Sequence, residues 1–405
     1  MPEALALTGC EAWTPLERIA DALLLVEGGR FAYVGPRGAL SLPSRVRRVD
    51  LRGAAVCPGF IDLQVNGLGA EAVLGADPEG LLRLARELAR RGTTSFLPTA
   101  ATASPEDLLR AARAVRAAWE RQGREPRPGA AVLGLHLEGP FLNPAMRGVH
   151  PLEHVRPVDL GELDRIGEAA GGFGPQGHPG LRLLTLSPEV EGAAEAARRM
   201  NARGVAVAMG HTAASEEEVE GFLAAGARFA VHAFNRYAAP GGGPSGHRAP
   251  GPMSAVLTDG RLMAGLIADG VHVHPGVIAA FVRSRGWERV VLTSDLVSDG
   301  GLSGASGGAS AGDRAVRREG VLAGSRLSLG EMLPLYRGWT GLPADCAVAA
   351  ATQHPARLLS LGEGAGRLLP GARADLCALD PGTLAVRGAM AGGEWASGSP
   401  PFAAP

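Results

Sequence analysis

The chain has 405 residues, 46% of them hydrophobic, and a formal net charge of −1 from 40 basic and 41 acidic side chains. That length exceeds one small domain and suits a barrel of roughly 250 residues plus a smaller module. The balanced charge excludes a global field that would gather nucleic acid or anionic membrane, so any anion must be recognised locally.

Every basic residue is Arg and the chain contains no Lys, which excludes Schiff-base and carboxylated-lysine chemistry. With so much Ala and Gly, the Arg content reads as a coding bias and not as a functional signal. Cys10, Cys57, Cys346 and Cys377 form no C-x-x-C pair, and their scatter suggests no disulfide framework. A reducing cytoplasm is expected. The opening MPEALALTGCEAWTP lacks a basic stretch followed by an apolar one, and no apolar run approaches the ~18 residues of a membrane span. A soluble, cytoplasmic protein is expected.

Residues 1–54 read as short strands, DALLLVEGG, RFAYVGP and RVRRVDLRGAAV, punctuated by Gly and Pro. The tail from 365 to 405 reads the same way, in GRLLPGARADLCALD and LAVRGAMAGGEW. Two β-rich ends predict one small β-sandwich domain built from 1–54 and 365–405, flanking a catalytic barrel over 55–364. The Gly/Ser-rich stretch 300–312 reads as a mobile loop.

The middle alternates strands and helices. Buried strands are predicted at 55–61, 95–99, 131–137, 181–187, 205–210, 228–232, 263–268 and 289–294. Eight is the count that a (β/α)8 barrel needs. In GLLRLARELARRG, Leu81, Leu84, Ala85 and Leu88 share one helical face, and Gly92 is placed to stop the helix. Ser215 and Glu218 have capping-box spacing. A further helix is predicted over HPGVIAAFVRSRG.

Barrel active sites sit at the C-terminal ends of the strands. There the chain places Gln64 and Asn66 after strand one, His136 and Glu138 at strand three, and His211 after strand five. His232 and Asn235 follow strand six, Asp269 and His272 strand seven, and Asp295 strand eight. Taken singly, each has a blander explanation: Glu138 or Asp295 as a helix cap, any His as a buried support. Their coincidence on one rim points to a metal site, because one carboxylate and two imidazoles suit a first-row divalent ion and leave positions for water. His136 shares the Glu138 face and reads as a support beneath the site. His154, His178, His247, His274 and His354 lack this context and read as structural or surface residues.

The segments PGFIDLQVNG, GLHLEGPFLNPAMRGVH, MGHTAAS, VHAFNR, LIADGVHV, LTSDL and LAGS resemble those of N-acetylglucosamine-6-phosphate deacetylases of the amidohydrolase superfamily. The resemblance spans nearly the whole chain. PGFID and PGARADL mark the superfamily; HLEGPF followed by GVH, GHT and HAFN is more specific. It implies hydrolysis of the acetamide of N-acetylglucosamine 6-phosphate to glucosamine 6-phosphate and acetate, in a homodimer.

By that resemblance Glu138, His211 and His232 match metal ligands and Asp295 the catalytic acid/base. His150 matches the group that polarises the acetamide carbonyl. Val149, Asn235, Arg248, His272 and the Leu322, Ala323 and Gly324 backbone match substrate contacts, with Arg248 and His272 serving the phosphate. Arg236 stands where the family has a small residue and is either an added phosphate contact or a solvated side chain.

Two departures from the superfamily pattern stand out. The usual His-x-His after strand one is here Gln64-x-Asn66. Amides are poor ligands for a first-row metal, so a single metal per chain is expected, zinc first, with iron, cobalt or manganese also compatible. Gln64 and Asn66 are left to contact water or substrate. The second departure is Arg236 followed by a Gly-rich insertion over 238–247, across which RAPG is aligned to place Arg248. Two other functions are carried as alternatives. One is another amidohydrolase acting on a different N-acyl amino sugar or a cyclic amide; the other is a non-catalytic scaffold on the same fold.

Overall fold

A computed structural model describes residues 4–14, 16–124, 129–174, 179–238, 250–299 and 313–400. The Gly/Ser-rich stretch 300–312, most of the Gly-rich insertion, Arg248, His178 and His247 lie outside the described residues.

The expected (β/α)8 barrel is present. Its strands are Phe60–Val65, Thr93–Ala101, Leu135–Glu138, Leu181–Leu186, Ala206–Met209, Phe229–Ala230, Met263–Leu266 and Val290–Leu292. They pair side by side in sequence order, all parallel. A parallel bridge between Val65 and Leu296 brings the segment after the last strand against the first. Alternate residues separate two layers, as the two-residue period of a strand requires. Ile61, Leu63, Leu97, Leu183, Phe229 and Val291 form one buried cluster inside the barrel. Phe60, Phe96, Leu137 and Leu184 belong to a second, shared with the surrounding helices.

Several strand bounds differ from expectation. The stretch 55–61 is two strands: Arg47–Pro58 belongs to a separate sheet, and the barrel's first strand begins at Phe60. Gly59 is the seam, and a Cβ there would lie 2.1 Å from Thr94 Oγ1. The 131–137 strand is interrupted at Gly134, where φ is +133°. The sixth strand shrinks to Phe229–Ala230 because the chain turns immediately after it.

The helices begin and end where local chemistry allows. Helix Pro78–Arg90 starts at Asp77, whose Oδ1 accepts from the Gly80 N–H, and Gly92 follows its end at φ +93°. It buries Leu81, Leu84 and Leu88, each worth about 2 kcal/mol of transfer free energy. Ser215 and Glu218 cap helix Glu216–Ala224 reciprocally. No helix begins at Asp295; the next one among the described residues, Leu329–Thr340, is capped by Ser328 and Glu331.

Both chain ends meet in one seven-stranded sheet. From edge to edge its strands are Glu394–Trp395, Val386–Ala391, Leu376–Leu379, Arg47–Pro58, Leu5–Trp13, Arg18–Glu27 and Arg30–Pro36. The strand Leu5–Trp13 gave no clear signal in the sequence. Near the far edge the Phe31 N–H donates to Ala372 O and the Gly371 N–H to Phe31 O, so the sheet curls over its own core of Leu7, Leu24, Phe31, Val56, Leu376 and Met390. All four cysteines are free. No helix among the described residues is long and apolar enough to cross a membrane.

Candidate active site

The C-terminal ends of the strands converge on a cleft of about 500 Å³. Glu138 ends the third strand, His211 and His232 lie two residues beyond the fifth and sixth, and Asp295 lies three beyond the eighth. Glu138, His150, His211 and His232 are all at least 95% buried. Of the nine non-glycine residues with positive φ among those described, five stand at this rim: His211, His232, Phe234, Arg236 and Asp295. Such conformations cost of order 1–3 kcal/mol each and persist where surrounding structure enforces them.

Glu138 Oε1 is the hub. His232 Nε2 lies 2.9 Å from it, His211 Nε2 3.4 Å, and Gln64 Nε2 donates to it at 2.9 Å. His211 Nδ1 donates to the Met146 carbonyl at 3.1 Å. In the neutral ring this leaves the Nε2 lone pair aimed at a carboxylate, which is repulsive unless a cation lies between them. Burial holds the His211 pKa down and opposes a second proton on the ring. His232 Nδ1 and Gln64 Oε1 are buried without partners. The donor set therefore fits a divalent metal on Glu138, His211 and His232.

Spacing alone selects a different trio, since ligand atoms of Glu138, His150 and His211 lie within 4.8 Å of one another. The hydrogen bonds separate His150 from a ligand role. The Thr102 backbone N–H donates to its Nδ1 at 3.3 Å, with Thr102 Oγ1 2.8 Å away. Nδ1 is thus an acceptor, and the ring proton sits on Nε2. Burial, with His211 alongside, brings its pKa down to about 3, so the ring is neutral. A neutral Nε2–H is a donor for a developing oxyanion and has no lone pair for a metal.

Asp295 Oδ1 accepts from Asn66 Nδ2 at 2.8 Å. Burial and the Glu138 carboxylate push Asp295 well above the ordinary carboxylate range. Burial also acts on Glu138, but the adjoining His211 and His232 imidazoles outweigh it and hold that group well below the range. Two neighbouring carboxylates are driven apart, the pattern expected of a ligand beside an acid/base. His272 is fixed by Asp269: Oδ1 accepts from the Val271 and His272 N–H groups and Oδ2 lies 2.6 Å from His272 Nδ1. His136 bonds Leu63 O and Thr185 Oγ1 beneath the site.

The cleft brings together Glu138, Val149, His150, His211, His232, Asn235, Arg236, His272, Asp295 and the Leu322–Gly324 backbone. Gln64 and Asn66 do not line it; they grip the two carboxylates from behind. Among the other described histidines, His274 caps helix Pro275–Arg285, and His354 is buried against Val290 O.

Sequence reasoning missed Thr102, the Met146 carbonyl and Arg317. Arg317 enters from the hairpin of Ala315–Arg318 and Val321–Ser325, facing Leu322 across it. The alternating run AVRREGVLAGS, with a Gly at its turn, carried that signal. The hairpin is held over the site by the Ser325 N–H, which donates to Asp295 O at 2.9 Å.

The amidohydrolase family model matches residues 55–402. An N-acetylgalactosamine-6-phosphate deacetylase of Escherichia coli O157:H7 is 35% identical, over 89% of this chain and 91% of the relative. The human N-acetylglucosamine-6-phosphate deacetylase is 33% identical, over 92% and 90%. A solved structure of the Mycobacterium smegmatis N-acetylglucosamine-6-phosphate deacetylase superposes with a TM-score of 0.83 at 30% identity. It covers 97% of this chain and 99% of that one, and is an aspartate-to-alanine variant in complex with N-acetyl-D-glucosamine-6-phosphate.

Proposed function

This chain belongs to the amidohydrolase family, and from that premise we propose that it hydrolyses the acetamide of N-acetylglucosamine 6-phosphate to glucosamine 6-phosphate and acetate. The observation that carries the reading is the pair of carboxylates facing one cleft, Glu138 held by two imidazoles and Asp295 held by Asn66.

Glu138, His211 and His232 would hold a divalent metal, which when bound would supply Lewis acidity and lower the pKa of water toward neutrality. Our reading is one metal per chain, zinc, with iron, cobalt or manganese as the other compatible ions. Metal content per chain by elemental analysis checks this; two ions per chain would overturn the single-metal reading.

Asp295 takes the proton from the attacking water. His150 Nε2–H donates to the acetamide oxygen as negative charge gathers there. Asp295 then gives its proton to the sugar nitrogen, which leaves only as a neutral amine. A raised Asp295 pKa suits this return step. His272, oriented by Asp269, and Arg236 bind the phosphate, with Arg248 assigned the same role by alignment. A guanidinium fork matches paired phosphate oxygens. Val149, Asn235 and the Leu322–Gly324 backbone form the sugar's walls.

Asp295→Asn tests the assignment. Metal content and substrate binding should persist while turnover falls by about 10²–10⁴; near-normal turnover would remove Asp295 from this role. The Escherichia coli relative supports a second reading on the same chemistry, with the galactosamine epimer as substrate. Comparing kcat/KM for the two 6-phosphates decides between them, and hydrolysis of unphosphorylated N-acetylglucosamine at a similar rate would overturn the phosphate contacts. Absence of both metal and hydrolysis would favour a scaffold. We expect a cytoplasmic homodimer, a reading supported by four unpaired thiols and by the family resemblance; light scattering checks the dimer.

A further inference from the structure

The opposite end of the barrel holds a basic cavity of about 370 Å³. Its residues sit where strands five to eight begin. Arg228 precedes the strand that leads to His232, and Met263 opens the strand that leads to Asp269. The cavity and the catalytic cleft share no residue.

Four guanidinium groups line it, Arg228, Arg261, Arg289 and Arg357, and no carboxylate does. Among the described residues only Arg261 has acidic partners, Glu220 and Asp259, both outside the lining. Arg228 is spent on the Leu223 and Ala227 carbonyls through one nitrogen, and Arg357 on Glu288 O and Met263 Sδ. Arg289 makes no hydrogen bond or ion pair among the described residues, and its charge opposes that of neighbouring Arg285. Asn201 and Ser360 add an amide and a hydroxyl with no protein partner among those residues, and Ser360 is held in the left-handed region at φ +51°. The floor is apolar, with Val207, Met263 and Leu359.

Arg228, Arg289 and Arg357 carry charge into one cavity with no carboxylate partner among the described residues, and a bound dianion would supply that counter-charge. Guanidinium forks around a polar amide and hydroxyl match the oxygens of a phosphate group. From this we infer that the basal cavity is a second anion site, separate from catalysis, that takes a phosphate dianion, either free or as the head of a small ester.

Thermal unfolding of the holoenzyme with inorganic phosphate, against chloride at equal ionic strength, tests it. Binding to the native state raises Tm with ligand concentration, by roughly 2 °C or more once phosphate is well above Kd. The catalytic cleft also takes phosphate, so two variants separate the sites. The double variant Arg228→Ala/Arg289→Ala should lose a component of the shift that Arg236→Ala retains, while its kcat and KM for deacetylation stay unchanged. Glycerol 3-phosphate supplies the second arm: a larger shift than phosphate assigns the site to an ester, an equal one to the free ion. The inference is overturned if phosphate and chloride shift the wild type equally, or if the double variant keeps the full shift.

Discussion

Asn66 Nδ2 donates to Asp295 Oδ1 across 2.8 Å, joining the end of the first barrel strand to the segment after the last. The bond is reinforced by the backbone, since the Asn66 N–H donates to Leu296 O at 2.7 Å. Where the superfamily commonly has a second histidine, this chain thus has an amide that positions a carboxylate. Gln64 does the same for Glu138.

Asn66→Ala should reduce kcat by about 10–100-fold, the usual cost of losing a group that orients a catalytic one. The hydrogen bond favours the charged form of Asp295, so its loss raises that pKa. The acid limb of the kcat/KM profile should move to higher pH. An unmoved limb would show that Asn66 only fills space.

Gln64→Leu removes the amide donor from Glu138 while keeping an apolar side chain in a buried position. Metal affinity should fall by about 10–100-fold, read by titration with a competing chelator. Unchanged affinity would mean that the two histidines orient Glu138 without help.

Chelation should abolish activity and lower Tm, and stoichiometric zinc should restore both. Without a cation, Glu138 and the His211 lone pair face each other at 3.4 Å in a buried site. Metal binding to the native state adds RT ln(1 + [M]/Kd) to stability. A chelated protein with unaltered Tm would argue against a metal on these residues.

Gly324 brings the hairpin backbone close against Asp295. Its φ is +142°, and a Cβ there would lie 2.8 Å from Asp295 O and 2.4 Å from Val297 Cγ1. Gly324→Ala should cost roughly 1–3 kcal/mol, measured by denaturant unfolding, together with a lower kcat as the Asp295 backbone shifts. Wild-type stability and kcat would show that the hairpin yields freely.

Stability should depend on His354. Burial brings this imidazole down to about 4, while Nδ1 stays bonded to Val290 O at 2.7 Å. A free histidine titrates near 6.5, so the unfolded chain takes up the proton first. The native state keeps its full advantage above about pH 6.5 and loses it as pH falls toward 4. Between pH 7 and pH 5 the wild type should lose about 2 kcal/mol that His354→Gln does not. Equal losses in both proteins would place the sensitivity elsewhere.

Much of the barrel was legible in the one-dimensional pattern. Apolar runs separated by capped helices are local features, and Asp77, Ser215 and Gly92 act on their own neighbours in the chain. A polar residue just past an apolar strand also marks the rim, which is why Glu138, His211, His232 and Asp295 could be read together. The strand Leu5–Trp13 could not: it is buried by partners at 18–27 and 47–58, and its own sequence carries little alternation.

Only the tertiary structure decided what each rim residue touches. Gln64 and Glu138 are 74 positions apart, Asn66 and Asp295 229, and Thr102 and His150 48. Those separations are closed by the barrel, and no local rule encodes them. The Thr102 N–H fixes the His150 proton on Nε2, and the Met146 carbonyl turns the His211 lone pair toward Glu138. Sequence determined which residue types reach the rim, because strand period and helix capping are set within a few residues. Folding determined which of them could face a metal and which a proton, because tautomer and carboxylate charge depend on partners that only the closed barrel supplies.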